Sequence, residues 1–245
     1  MLYTTIIYEK RQFVASITFN RPDSGNAITA QLTQELGDAC ASITANEEVR
    51  VVIITGAGEH FCLGTSAEES PPHVVQTIIN LDRPVIAAIN GDALGQGLEL
   101  ALACDLRIAA DTAHFGLPQI TSALIPSDGG TQLLPRIIGR GRAMEMVLLG
   151  GAIDATRAYE IGLVNKVVPL TELMPTVMEM ARSMASKAPI SLRYAKEAVL
   201  KGLDLTMDQG LRLESDLYYL LQTTEDRVEG IKAFQERRIP QFKGK

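Results

Sequence analysis

The stretch "PVIAAINGDALGQGLELALACDLRIAAD", residues 84–111, reads as strand, glycine-rich turn, helix, strand. PVIAAIN (84–90) and LRIAAD (106–111) are short apolar runs of the kind a sheet buries on both faces. Between them, Gly91, Gly95 and Gly97 precede a run of Leu and Ala that carries one acid, Glu99. A carboxylate in so apolar a helix costs free energy unless it is paired or used.

Two readings of Glu99 stand side by side. Glycines let a backbone approach a ligand closely, and a helix starting near Gln96 offers unpaired N–H groups at its positive end. Such donors, aimed at one point, hold an anion or oxyanion, with Glu99 within reach of the carbon next to a polarised carbonyl. In the plainer reading, this is a tight helix–strand junction whose glutamate is satisfied by the backbone. The residues alone leave both open.

Familiar glycine motifs do not fit. Residues 91–97 follow G-x-x-x-G-x-G, with neither the dinucleotide spacing nor the Lys-Ser/Thr of a phosphate loop. The sequence around Ser66, GTSAE, is not a nucleophile elbow.

Working outward, FVASITFN (13–20) and VRVVIITG (49–56) read as strands, with a helix from Thr29 through Leu32, Leu36, Ala39, Cys40 and Ile43 between them. Alternating strands and helices of this rhythm predict an α/β core. Past residue 140 the pattern turns helical: GRAMEMVLLGG, Asp154 to Ile161, and 171–187, with LVNKVV (163–168) as a strand. Beyond Pro189 every segment reads as helix. Thr206 and Gln209 form a capping box, and the last helix carries Glu225 and Asp226 in its first turn and Arg237 and Arg238 in its last. The expected division is a core over 1–190 and a helical region over 191–245.

The chain has 245 residues and a net charge of −6, without the basic surplus of a nucleic-acid-binding surface. No apolar run reaches the roughly 18 residues a membrane span needs, and MLYTTIIYEKRQF lacks the pattern of a secretion signal. A cytoplasmic location is the expectation, with no membrane and no nucleic-acid partner. Cys40, Cys62 and Cys104 form no CxxC pair, and His60, His73 and His114 lack ligand spacing, so no metal is expected.

A second glycine-bearing stretch, EHFCLGTSAEE (59–69), leaves the strand 49–55 where α/β sheets bind ligands. Five segments then combine: HFCLG (60–64), NGDALGQGLELALACDLRIAADTAHFGLPQI (90–120), IPSDGGTQLLPRIIG (125–139), AYEIGLVNKVV (158–168) and EGIKAFQERRIPQFKG (229–244). Together, in this order, they resemble the crotonase, or enoyl-CoA hydratase/isomerase, superfamily. The resemblance implies a spiral core of repeated ββα units and a C-terminal α-helical trimerisation region. It also implies a homotrimer or dimer of trimers, and an acyl-CoA thioester substrate, with coenzyme A entering as part of that substrate and no separate cofactor.

Carried over by position, the resemblance makes the backbone N–H groups of Leu63 and Gln96 the oxyanion hole, with Gln96 standing where the family usually has glycine. Glu99 matches the first of the two glutamates of hydratases. The second falls at Gln119, which can orient water or substrate but cannot deliver a full proton. Asp128 stands where a small residue is usual. It either supplies the missing acid/base function or, in the commoner role of such an aspartate, caps the helix opening at Gly129. RPDSGNAI (21–28) matches the CoA-binding loop, placing Asp23, Ser24 and Asn26 near the coenzyme; a polar surface turn is the plain alternative. Phe234 and Arg237 match positions that reach CoA, often from a neighbouring subunit, whereas bare patterning makes Phe234 core and Arg237 a helix-dipole partner.

Nineteen residues separate Gly64 from Pro84, fewer than the family usually carries, and TSAEESPPH suggests a rigid, trimmed loop. The leading expectation is a lyase hydrating a 2-enoyl-CoA with Glu99 as acid/base. The alternatives are a double-bond isomerase, an acyl-CoA decarboxylase, or a catalytically reduced acyl-CoA-binding protein.

Overall fold

A computed structural model describes residues 3–65 and 73–245. In chain order its elements are β1 (Ile6–Arg11), β2 (Val14–Phe19), α1 (Ala30–Ala45), β3 (Val51–Gly56), α2 (Val75–Ile79), β4 (Val85–Ile89), β5 (Ala93–Leu94) and α3 (Gln96–Ala103). There follow β6 (Leu106–Ala110), β7 (His114–Gly116), α4 (Gly130–Ile138), α5 (Arg140–Leu149), β8 (Ile153–Asp154), α6 (Ala155–Glu160), β9 (Lys166–Val168), α7 (Leu170–Ala185), α8 (Pro189–Gly202), α9 (Met207–Leu221) and α10 (Glu225–Gln235).

Six strands form one sheet in the order β1-β2-β3-β4-β6-β9. The β1/β2 pair is antiparallel and every other neighbour is parallel. A smaller sheet, β5-β7-β8, stands beside it. The chain visits the large sheet at β4, the small one at β5, returns through α3 to β6 and passes again to β7. This is the repeated ββα turn of the expected spiral. The segment after β3 joins in the same way, through single bridges from Cys62 to Ala93 and from Thr65 to Ile28.

Period-two alternation explains why β3 is apolar at successive positions. Val52 and Ile54 face the main core with Phe19, Leu36 and Leu98, while Val51 and Ile53 face a second core with Leu173, Val177 and Ala181 of α7. Both faces of the strand are dry, and its one buried polar side chain, Thr55, donates its hydroxyl to the Ala88 carbonyl at 2.8 Å. α1 begins where its sequence indicates, with the Thr29 side chain accepting the Leu32 N–H, and the Thr206–Gln209 capping box opens α9.

Several expectations need correction. β1, a half-exposed edge strand, is missing from the expected strands, as are β5, β7 and β8, which at two or three residues each are too short for a periodic signal. α10 ends at Gln235, so Arg237 lies beyond the helix, at φ +52° rather than in its last turn. Arg238 pairs with Glu229 and Glu236. Phe234 is 85% exposed and not core. Most of the TSAEESPPH segment, residues 66–72, lies outside the described residues. Among the described residues no helix is long and apolar enough to cross a membrane.

Candidate active site

The turn into α3 is built by close backbone contact. Gly95 takes φ +55°, and a Cβ at Gly97 would lie 2.0 Å from the Cys62 carbonyl oxygen, a position only glycine permits. The exit of β3 is thereby pressed onto the start of α3. At the other end of this short helix, the buried Arg107 guanidinium donates to the Cys104 carbonyl at 2.7 Å, closing the helix C-terminus.

Glu99, in the first turn of α3, is fully buried. Its Oε1 accepts the N–H groups of Asp128 at 2.9 Å and Gly130 at 2.8 Å, which are unpaired donors at the start of α4. The backbone partner of the plainer reading is therefore real, and it comes from a different helix. Among the described residues its Oε2 receives only a long contact, 3.4 Å, from Gln119 Nε2. Burial pushes the Glu99 carboxyl up from the ordinary carboxylate value, against the lowering effect of the main-chain donors; the nearby Asp128 charge adds to the rise.

Gln119 lies just after β7, in the turn that opens at Pro118. Its Oε1 is buried without a hydrogen-bond partner among the described residues. An orphaned acceptor beside a half-satisfied carboxylate marks a place for a polar guest.

Asp128 does not cap the helix that follows it. The N-cap of α4 is Gly129, without a side-chain bond, and Glu99 fills that role. The Asp128 carboxylate turns away and accepts the Val74 N–H at 2.7 Å and the Val75 N–H at 3.1 Å, capping α2 instead. The same oxygen accepts from Gln96 Nε2 at 2.9 Å, and His73 Nδ1 lies 3.4 Å from its other oxygen. Thr65 Oγ1 donates to Gln96 Oε1, so both ends of the Gln96 amide are held.

The expected oxyanion donors divide. The Leu63 N–H already donates to the Gly25 carbonyl at 2.9 Å, which removes it as a donor to a ligand. Two residues on, the Thr65 N–H meets no acceptor among the described residues. Gly64, at φ +92°, brings this segment so near α3 that a Cβ there would stand 3.1 Å from the Gln96 nitrogen. No composition signal separates Leu63 from Thr65; only the pairing of the Leu63 amide with Gly25 does.

Of the CoA-loop residues, Asn26 is fully buried, and its side chain is occupied. It accepts the Arg21 N–H and donates to the Ala57 and His60 carbonyls, tying two loops together rather than facing a coenzyme. Asp23 and Ser24 are exposed on the same turn. Phe234 and Arg237 are exposed near the C-terminus, and neither bonds to the group around Glu99.

Comparison with known proteins agrees with this architecture. Residues 9–245 match the family model described as enoyl-CoA hydratase/isomerase. The chain is 40% identical over 253 residues to (E)-benzylidenesuccinyl-CoA hydratase of Thauera aromatica, covering 98% of this chain and 99% of that one. It is 38% identical to crotonyl-CoA hydratase of Syntrophomonas wolfei, covering 99% of each. The crystal structure of enoyl-CoA hydratase from Bacillus anthracis superposes with a TM-score of 0.95 at 41% identity, covering 99% of this chain and 100% of that one. The chain belongs to the enoyl-CoA hydratase/isomerase family, the crotonase superfamily, and is an enzyme of that lyase-like class.

Proposed function

We propose that the chain adds water to a 2-enoyl-CoA, with Glu99 as the acid/base. The observation that carries this reading is the asymmetry of the Glu99 carboxylate. One oxygen is anchored by two main-chain N–H groups, and the other faces Gln119, whose Oε1 has no partner among the described residues. A water donating one hydrogen to Glu99 Oε2 and the other to Gln119 Oε1 presents its lone pair for attack on the β-carbon. Glu99 takes the proton of that water and returns it to the α-carbon, so one carboxylate serves both steps. The raised pKa of Glu99 favours the return.

The thioester oxygen sits against the backbone N–H groups of Gln96 and Thr65, Thr65 replacing Leu63, and the developing enolate charge is stabilised there. Asp23 and Ser24 face the coenzyme, joined by Phe234 and Arg237 from a neighbouring copy. Exposed apolar side chains along α8 to α10, among them Val199, Leu203, Met207, Leu211, Tyr219 and Val228, support a homotrimer or a dimer of trimers.

Three substrates test the reading. Loss of conjugation from crotonyl-CoA supports hydration. Gain of conjugation from a 3-enoyl-CoA alone, or carbon dioxide from methylmalonyl-CoA alone, replaces hydration with isomerisation or decarboxylation, reactions that one carboxylate suffices to run. Silence in all three with thioester binding retained leaves an acyl-CoA-binding protein.

A further inference from the structure

Gln96 and Glu99 stand three apart on α3 and share a face. Both end on the same residue. Glu99 Oε1 accepts the Asp128 main-chain N–H, and Gln96 Nε2 donates to the Asp128 carboxylate. That carboxylate is 6% exposed, and its Oδ2 also receives the Val74 and Val75 N–H groups that begin α2. The Gln96 amide, pinned at its far side by the Thr65 hydroxyl, cannot swing aside without leaving a buried carboxylate short of a donor. In the acyl-CoA reading, a thioester with its carbonyl at the Gln96 N–H and its α-carbon at Glu99 lies along the face of α3 that carries this amide.

We propose that Asp128 is a positioning residue that, together with Gln96, forms a wall limiting how long an acyl chain extends beyond Glu99. The inference rests on the acyl-CoA reading above, and it assigns Asp128 to substrate length rather than to proton transfer.

The test is the affinity of acetyl-, butyryl- and octanoyl-CoA, saturated thioesters that do not turn over, measured by calorimetry. Wild type is expected to bind octanoyl-CoA no more tightly than butyryl-CoA. Gln96→Ala keeps the main-chain N–H and leaves Val74 and Val75 on Asp128. In that variant the octanoyl-to-butyryl affinity ratio is expected to rise about tenfold, the effect of burying roughly two further methylenes. Asp128→Ala, which releases both Gln96 and α2, shifts the ratio in the same direction. Asp128→Asn, whose one carbonyl oxygen takes the three donors now on Oδ2, restores the wild-type ratio.

A general loss of stability would weaken all three thioesters alike and leave the ratio unmoved. An unchanged ratio in folded Gln96→Ala overturns the proposal, as does wild type that already favours octanoyl-CoA by about tenfold or more. Absence of binding by all three thioesters overturns the acyl-CoA reading itself, and the wall with it.

Discussion

Replacing Gln119 by glutamate puts a second carboxylate beside the first. Gln119 Nε2 lies 3.4 Å from Glu99 Oε2, and a carboxylate oxygen in its place inherits that distance. At an effective dielectric constant near 20, two full negative charges so placed repel by about 5 kcal/mol. The folded protein avoids this by holding one proton between the pair, whereas the unfolded chain releases both protons above the ordinary carboxylate range. The folded state then binds the extra proton, so stability falls as pH rises from about 4.5 until the shared proton leaves. Thermal unfolding of Gln119→Glu and wild type across pH 5–9 reads the effect. Near pH 5 the two melting temperatures should nearly coincide. At the alkaline end the variant should melt about 10 °C lower, since each kcal/mol corresponds to roughly 2–4 °C in a chain of this size. The shared proton is also the full acid that the amide cannot supply, so crotonyl-CoA hydration should rise by about 10²-fold. A stability difference that ignores pH would mean that residues 99 and 119 do not face each other. Slower hydration in the variant would mean that the amide, rather than an absent acid, sets the rate.

Three further predictions come from the same contacts. Glu99→Gln removes a buried group whose pKa is raised in the fold, so its melting temperature relative to wild type should increase as pH climbs from the ordinary carboxylate range through the folded pKa; a parallel pair of melting curves counts against the burial argument. Asp128→Asn removes a negative charge that raises the Glu99 pKa, so the acid limb of the pH–rate profile should move to lower pH with the maximal rate within about threefold; a collapse of about 10² or more would instead make Asp128 an acid/base group. Gly97→Ala drives a methyl group to 2.0 Å from the Cys62 carbonyl, and soluble expression with an unchanged melting temperature would contradict the close approach of β3's exit to α3.

Local patterning carries much of the fold. The apolar runs at 51–56, 85–89 and 106–110 announce a sheet buried on both faces, and Thr29 and Thr206 mark helix starts with their own side chains. The site is legible in part for the same reason: Gly95, Gln96 and Glu99 are neighbours along one turn of chain. Relations formed in space are less visible. Glu99 caps α4 across 31 positions while Asp128 caps α2 across more than fifty, an exchange of roles that spacing along the sequence does not encode. Asn26 looks like a polar loop residue until its amide is found buried among three backbone groups. Leu63 and Thr65 differ as donors only because the Gly25 carbonyl lies opposite one of them. Phe234 has the composition of a core residue and the exposure of a contact surface.

The role given to Glu99 has the most direct test. Crotonyl-CoA hydration by wild type and Glu99→Gln is compared with butyryl-CoA affinity measured on the same preparations. The expected result is a rate about 10²–10⁴-fold lower in the variant, with affinity within about threefold of wild type. A Glu99→Gln protein that hydrates crotonyl-CoA within about tenfold of wild type would contradict the account.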